Sequence, residues 1–510
     1  MSDLEPARNG RFKFDIHPPV FWGSAGTVVL FVVVSLLNLD QMTQVFKDVL
    51  GVITESGGWF LVLCVNIYLA VVLYLLFSRH GRVRLGGDDA RPDYSYWGWL
   101  SMLFSAGMGI GLMFWSVAEP INHYISPPWG EAQTAEAAQL AMGITFFHWG
   151  LHAWGLYGLM ALALAYFAYN HGLPLTVRSA FYPLLGERIH GWAGNIIDVL
   201  ATVATLFGLA TSLGLGAQQV NAGFAYLFGI PQSVTVQVIL IAVITAMATV
   251  SVVLGVDKGI RRLSQVNVIL ASLLLLFVVI AGPTHYLLDA LVQNIGVYLQ
   301  NLPRLSFWTE TYQGTGWQHG WTLFYWAWWI AWSPFVGIFI ARVSRGRTVR
   351  EFVSAILIVP TLATFVWLTV FGNAALYVEL FGPGGITAAV QADVAVALFK
   401  LLEFYPLTSI TVALAVCIVV TFFVTSSDSA SLVVDIITAG GRLDPPKIQR
   451  VFWASMEGVL AAVLLMGGGL LALQTAVVAT GLPFAVILLM LSFSLIRALK
   501  ADNKVPGSED

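Results

Sequence analysis

The sequence predicts an all-α integral membrane bundle of twelve transmembrane helices, in which two peripheral helices precede two inverted sets of five. Three observations predict it: hydropathy beyond what a soluble core absorbs, one-sided placement of positive charge, and helix breakers at matching places in the two sets. Of 510 residues, 58% are hydrophobic and 10% charged, and the mean hydropathy is +0.79. No soluble domain buries that much apolar surface, so lipid is the missing solvent. A net charge of −3 offers nothing to a nucleic acid.

A helix crosses a hydrocarbon core about 30 Å thick with about 20 mainly apolar residues. By that ruler the spans run at 20–40, 58–78, 97–117, 139–168, 196–228, 233–255, 264–282, 319–341, 352–375, 408–437, 451–472 and 474–496. With the N-terminus in the cytoplasm, all of the 25 Lys and Arg residues except Lys47, Arg304 and Lys400 fall on the inner side. The positive-inside rule then predicts an even number of spans and two cytoplasmic termini. The polar tail 1–19 lacks a short apolar core with a cleavage site, so the first span is expected to stay. Cys64 and Cys417 sit inside apolar spans and are not expected to pair.

After the tail, 20–96 holds the two peripheral spans and a cytoplasmic loop. The first five-helix repeat is 97–282, the second is 319–496, and 497–510 is a short cytoplasmic tail. Between the repeats, 283–318 begins at Pro283 and includes HYLLDALVQNIGVYLQNL, an amphipathic helix for the outer interface. Five is odd, so the second repeat enters the membrane from the opposite side. Such inverted repeats place a substrate site at the midplane, where the first helix of each is interrupted. Span three carries Gly107-Met108-Gly109-Ile110-Gly111, and span eight carries Trp332-Ser333-Pro334 and Gly337. Glycine permits turns that a helix forbids, and proline removes a donor and clashes with the preceding turn. Gly107 and Gly111 alone would also suit close helix packing; the matching breakers in span eight favour interruption.

Aromatic residues crowd the same helices, from His148 to Tyr157 in span four and from Phe324 to Trp332 in span eight. A quaternary cation has no proton to donate, so it is recognised by ring faces, each worth about 0.5–2 kcal/mol. Trp149, Trp154 and Tyr157 are spaced to offer such faces; the competing assignment is an interfacial aromatic belt. The interrupted helix at Gly107, Gly109 and Gly111 offers free N–H groups and a dipole to a carboxylate. Together the two describe a site for a zwitterion. Thr421 to Ser429 is a dense hydroxyl run suited to sodium, although such hydroxyls also bond to the carbonyl one turn back. His148 and His152 have the spacing of metal ligands but no carboxylate or third ligand in sequence, which favours interhelical hydrogen bonds. Asp428 and Glu119 are costly at depth and suit proton or gate roles, with helix-end packing the alternative for Glu119 beside Pro120.

The motifs GMGIGLMFWSVAEP (107–120), HWGLHAWGLYG (148–158), ATLFGLATSLGLGAQQ (204–219), WAWWIAWSPFVGIFIARVSRGRTVREF (326–352) and FFVTSSDSAS (422–431) resemble the betaine/choline/carnitine transporter family. The likeness runs through all twelve spans. It implies a sodium-symporter-type 5+5 inverted repeat after two extra helices, a homotrimer, and a place in the bacterial inner membrane. Residue by residue, Trp149, Trp154, Tyr157 and Trp329 match the family's aromatic box, and Trp332 the residue closing it from below. Phe324, Trp326 and Trp328 match a further aromatic station on the pathway, and Ser212 a serine near the substrate carboxylate. One sodium site is similar to the carbonyls of Ser105 and Met108 with Phe422, Thr425 and Ser426. Another sodium site is similar to Thr205 and Phe335, with Leu209 where a further hydroxyl would stand.

Choline carriers of this family tend to have aspartate where this chain has Gly111, so a substrate with its own carboxylate fits better. The resemblance therefore implies a symporter for glycine betaine, dimethylsulfoniopropionate, an ectoine or a similar compatible solute, with sodium as coupling ion and no other cofactor. The competing reading within the family is sodium-independent or proton-coupled transport of choline or carnitine, against which Thr425 and Ser426 argue. The family's osmosensing members have long charged tails, and the short 497–510 segment does not suggest one. An enzyme is disfavoured because no nucleophile, base and metal constellation is present. A channel lacks a ring of charges.

Overall fold

The computed structural model describes residues 14–107, 109–254 and 257–502. Met108 of the expected sodium site and the outer parts of both tails lie outside the described residues. The long helices are α1 (Pro18–Leu37), α2 (Leu39–Phe77), α3 (Tyr96–Gly107), α4 (Ile110–Ile125), α5 (Ala135–Trp149), α6 (Leu151–His171) and α7 (Trp192–Phe228). They continue with α8 (Val234–Leu254), α9 (Asp257–Ala281), α10 (Thr284–Phe307), α11 (Thr322–Val343), α12 (Val349–Leu368), α13 (Thr408–Thr438) and α14 (Lys447–Asp502). Short helical turns fill the connections, and an isolated antiparallel bridge joins Arg84 to Thr348. Both cysteines are free.

Among the described residues, ten helical segments are long and apolar enough to cross a membrane. The difference from the twelve hydropathic stretches lies in two places. The third stretch is split into α3 and α4, of 12 and 16 residues. The last two stretches are joined as the 56 residues of α14, with non-helical backbone at Gly468 and Gly469. Burial sorts the segments into layers. The apolar windows of α8 and α9 are only 22% buried, whereas that of Ala135–His171 is 89% buried. The α5–α6 pair, α7 and α11 therefore form the inner layer, and α8 and α9 show most of their surface outward.

Local chemistry sets several helix ends. Thr134 accepts the Ala137 N–H at 3.1 Å to start α5, and Thr348 accepts the Glu351 N–H at 3.2 Å to start α12. Gly172 adopts the left-handed conformation that ends α6.

The break expected at Ser333-Pro334 does not occur, because α11 is continuous through it. Proline strips the Ile330 carbonyl of its usual donor four residues on. The Ser333 hydroxyl replaces that donor, bonding to the Ile330 oxygen at 2.7 Å. A break that the sequence does not announce lies at Gly150, between α5 and α6, where the backbone leaves the helical region at φ −98° and ψ −138°. A Cβ there would meet the Phe146 oxygen at 2.5 Å and Tyr298 Oη at 3.1 Å, so only glycine fits. The freed backbone groups are taken by other helices. Trp329 Nε1 donates to the His148 oxygen at 2.9 Å, the Thr364 hydroxyl to the Trp149 oxygen at 3.2 Å, and the Leu151 N–H to Tyr298 Oη at 3.3 Å.

One ion pair ties the α6–α7 connection. Arg178 bonds to Asp198 through its Nε and through its backbone N–H, the latter at 2.9 Å, and both residues are buried. Asp198→Ala leaves a guanidinium buried without its carboxylate, a loss worth about 3–5 kcal/mol. The expected result is a clear drop in the melting temperature of the detergent-solubilised protein; an unchanged melting temperature would show that water reaches Arg178.

Candidate functional site

The interrupted helix of span three has the expected form. α3 ends at Gly107, Gly109 is fully extended at φ −169° and ψ −175°, and α4 starts at Ile110. The first N–H groups of α4 have no partner within their own helix, which makes its N-terminus a place for a carboxylate. What lies beside it decides its use. A Cβ added at Gly111 would meet Trp328 Cη2 at 2.8 Å and Trp149 Cη2 at 3.1 Å. The start of α4 thus abuts the tryptophans of α5 and α11.

Those rings form a continuous cluster. Trp149 and Trp329 meet edge to face with centroids 4.8 Å apart, Tyr157 lies 6.1 Å from Trp329, and Trp154 lies 5.5 Å from Tyr157. All four are buried. Trp328 stacks on Trp329 at 5.0 Å and on Phe324 at 5.3 Å. Trp326 stands apart from that stack, against Phe147 and His152 at 5.1 and 5.6 Å. The three residues matched to a further station are therefore divided between two faces of α11. Trp332 faces α7, where the Gly208 oxygen accepts its indole N–H at 2.8 Å, that of Trp328 at 3.3 Å and the Ser212 hydroxyl at 3.3 Å. Ser212 is thereby held beside the tryptophans although it lies more than a hundred residues away in sequence.

Glu119 is the residue whose importance the sequence understates. It is fully buried within α4, which runs on past Pro120 to Ile125, so it is not at a helix end. Its Oε2 accepts the Trp149 indole N–H at 2.7 Å and the Tyr325 hydroxyl at 2.5 Å. Its Oε1 lies 2.6 Å from His148 Nδ1 and 3.3 Å from His123 Nε2. A carboxylate and another imidazole do accompany His148, contrary to the expectation from spacing; folding brings them from 29 and 25 residues upstream. The ligand atoms of Glu119, His123 and His148 lie within 4.8 Å of one another, as a metal site would need. They already satisfy each other by hydrogen bonding without an ion. His148 also meets Thr322 at 2.9 Å, and His152 meets Asn66 at 3.1 Å and Ser306 at 3.2 Å, so both histidines make the interhelical bonds their spacing suggested.

The residues matched to sodium lie on the flanking helices. Ser105 is near the end of α3, and Phe422, Thr425 and Ser426 are on α13. The start of α4 and the middle of α13 both approach α7, where a Cβ at Gly216 would meet Ile110 at 3.2 Å and Phe423 at 3.6 Å. The Thr425 hydroxyl bonds back to the Thr421 and Phe422 oxygens at 2.9 and 3.2 Å. On α7, the Thr205 hydroxyl bonds back to Ala201 at 2.8 Å, and Leu209 is buried. Phe335 packs edge to face on Trp332 at 5.1 Å. Asp428 is paired with Arg450 at 2.8 Å, and Ser427 donates to the buried Glu457 at 2.8 Å. A cavity of about 270 Å³ is lined by Phe114, Gln218, Gln232, Gln237, Asp393 and Leu470, with no residue of the aromatic box in its wall.

Known proteins resemble this chain along nearly its whole length. The family described as betaine/carnitine/choline family transporter matches residues 19–504. A glycine betaine/proline/choline transporter of Vibrio parahaemolyticus is 48% identical over 97% of this chain and 92% of its own length. Glycine betaine transporter 1 of the same organism is 49% identical over 97% of this chain and 96% of its own. A glycine betaine transporter of Acinetobacter baylyi is 48% identical over 98% of this chain and 76% of its own.

Proposed function

This chain belongs to the betaine/carnitine/choline transporter family, and from that premise we propose that it imports a betaine-type zwitterion together with sodium. It is a multi-pass membrane transporter and not an enzyme. The observation that carries the substrate reading is the contact of Gly111 with Trp149 and Trp328. It sets an anion-binding helix start beside the tryptophan cluster, so both ends of one small zwitterion are served at once. Glycine betaine, named for several relatives, fits that description, as does its sulfonium analogue dimethylsulfoniopropionate. In this reading Trp149, Trp154, Tyr157 and Trp329 hold the cation, Trp332 closes the site, and Gly107 to Gly111 with Ser212 receive the carboxylate.

The same reading counts twelve spans, with α3 and α4 as one interrupted crossing and α14 as two crossings hinged at Gly468-Gly469. Both termini lie in the cytoplasm, the two sets of five helices form an inverted repeat, and the protein works as a homotrimer in the inner membrane. Sodium is held by the Ser105 and Met108 carbonyls with Phe422, Thr425 and Ser426. One ion is carried per cycle, because sodium gives up its water only to a nearly complete oxygen shell and Leu209 supplies none beside Thr205 and Phe335.

Purified protein in vesicles tests the proposal. Glycine betaine should accumulate down a sodium gradient with one charge moved per substrate. Thr425→Ala with Ser426→Ala is expected to lower uptake about tenfold and remove its sodium dependence. Two charges per substrate would exclude the single-ion version, and full uptake without a sodium gradient would exclude coupling.

A further inference from the structure

Reading the ring cluster as a cation box leaves a buried carboxylate in its wall without a task. Every hydrogen-bonding direction of Glu119 faces a group able to donate. An indole nitrogen only donates, so the Trp149 bond at 2.7 Å fixes Oε2 as acceptor, and the Tyr325 hydroxyl at 2.5 Å shares it. His148 Nδ1, 2.6 Å from Oε1, acts as donor when its other nitrogen accepts from the Thr322 hydroxyl at 2.9 Å. His123 Nε2, at 3.3 Å, donates likewise, and its Nδ1 has no partner, as suits a neutral ring. Four donors around one carboxyl group suit its ionised form. Among the described residues, no Lys or Arg pairs with Glu119; the basic groups beside it are the two histidines, which this bonding pattern leaves neutral.

Of the four donors, Trp149 belongs to the proposed box and Tyr325 packs against two of its rings. Trp149 meets Trp329 at 4.8 Å, and Tyr325 meets Trp149 at 5.6 Å and Trp329 at 5.7 Å. We infer that Glu119, ionised, is the counter-charge of the transported cation and acts through Trp149 and Tyr325 without touching the substrate. This rests on the proposed seating of the substrate's cationic end among these rings. Glu119 is a positioning residue in two respects. Its bonds to N–H and O–H hold the planes of both rings. Its charge also draws those protons outward and enriches the ring faces, on which cation–π attraction depends. In a dry wall of low dielectric, a fixed charge reaches across a ring with little screening. The box therefore prefers a cation over a neutral group of the same shape by more than its rings alone would provide.

The test compares glycine betaine with 3,3-dimethylbutanoate, whose tert-butyl group has the shape of trimethylammonium without its charge. Both are used as competitors of labelled betaine uptake by the full-length protein in vesicles. In Glu119→Gln the preference for betaine over the isostere should fall about tenfold. Glu119→Asp should keep that preference even where both ligands bind less well. An unchanged preference in Glu119→Gln, or a loss shared equally by both ligands, overturns the inference, since a merely structural role weakens both alike. Should Glu119→Gln fail to reach the membrane, Tyr325→Phe keeps the ring and removes one bond to Oε2. It is expected to lower the preference about twofold, and no change there overturns the inference. A parent protein that neither carries betaine nor prefers it to the isostere instead overturns the reading of the box itself.

Discussion

Trp149→Leu is expected to raise the KM for betaine about a hundredfold while the protein still reaches the membrane. The ring face accounts for about 0.5–2 kcal/mol of that loss. The rest comes from the indole N–H, whose removal leaves buried Glu119 Oε2 with Tyr325 as its one remaining donor. Removing one partner of a buried polar pair costs about 1–3 kcal/mol. Trp149→Phe separates the two contributions, because it keeps a ring and discards the N–H. Trp329→Leu should behave similarly, since it removes a ring and strips the donor from the His148 oxygen at the end of α5. Initial rates of labelled betaine uptake, normalised to protein in the membrane, decide the matter. Equal transport by Trp329→Leu and the parent would remove the aromatic box from the mechanism.

Another large effect is expected at Gly111. The space beside it is already taken, with Trp328 Cη2 at 2.8 Å and Trp149 Cη2 at 3.1 Å from where a Cβ would stand. Gly111→Ala must push two packed tryptophans aside and is expected to lower betaine uptake about tenfold. Gly111→Asp adds a carboxylate facing the one on the substrate, and the combined loss should reach about a hundredfold. The alanine variant isolates the steric part, so the ratio between the two reports charge. Choline has no carboxylate and should suffer from the first effect alone. If betaine uptake survives Gly111→Asp unchanged, the substrate carboxylate does not lie at this break.

The elements that lipid dictates are the most legible in the sequence. Apolar length and Lys and Arg placement locate the long helices because a spanning segment has few other solutions. The break at Gly109 is legible because three glycines stand in five residues. Pro334 misleads because its neighbour Ser333 repairs the missing donor, and that repair depends on a rotamer rather than on spacing. Gly150 gives no warning since single glycines are common in membrane helices, and its partners Trp329, Thr364 and Tyr298 come from three other helices. Glu119 carries a signal, a lone carboxylate in an apolar stretch, but its role depends on His148, Trp149 and Tyr325, 29 to 206 residues away. The aromatic residues of α11 are recognisable as a group, yet their division between faces, with Trp326 turned toward His152, follows from packing alone.

The repaired proline makes α11 a stiff spar. Phe324, Tyr325, Trp328, Trp329 and Trp332 ride on it together, while the opposing helices are jointed at Gly109 and Gly150. Opening the ring cluster is thus a matter of swinging the joints away from the spar, since bending the spar itself would forfeit the Ser333 bond. One latch resists that swing directly, Trp329 on the His148 oxygen beside the Gly150 joint, while Trp328 and Trp332 anchor the spar to the Gly208 oxygen of α7. At about 1 kcal/mol for a neutral hydrogen bond, that latch is a low barrier. A bound solute swings the joints only as far as it favours one arrangement over the other, so a tenfold difference in affinity, about 1.4 kcal/mol, offsets the latch however weak the binding itself is.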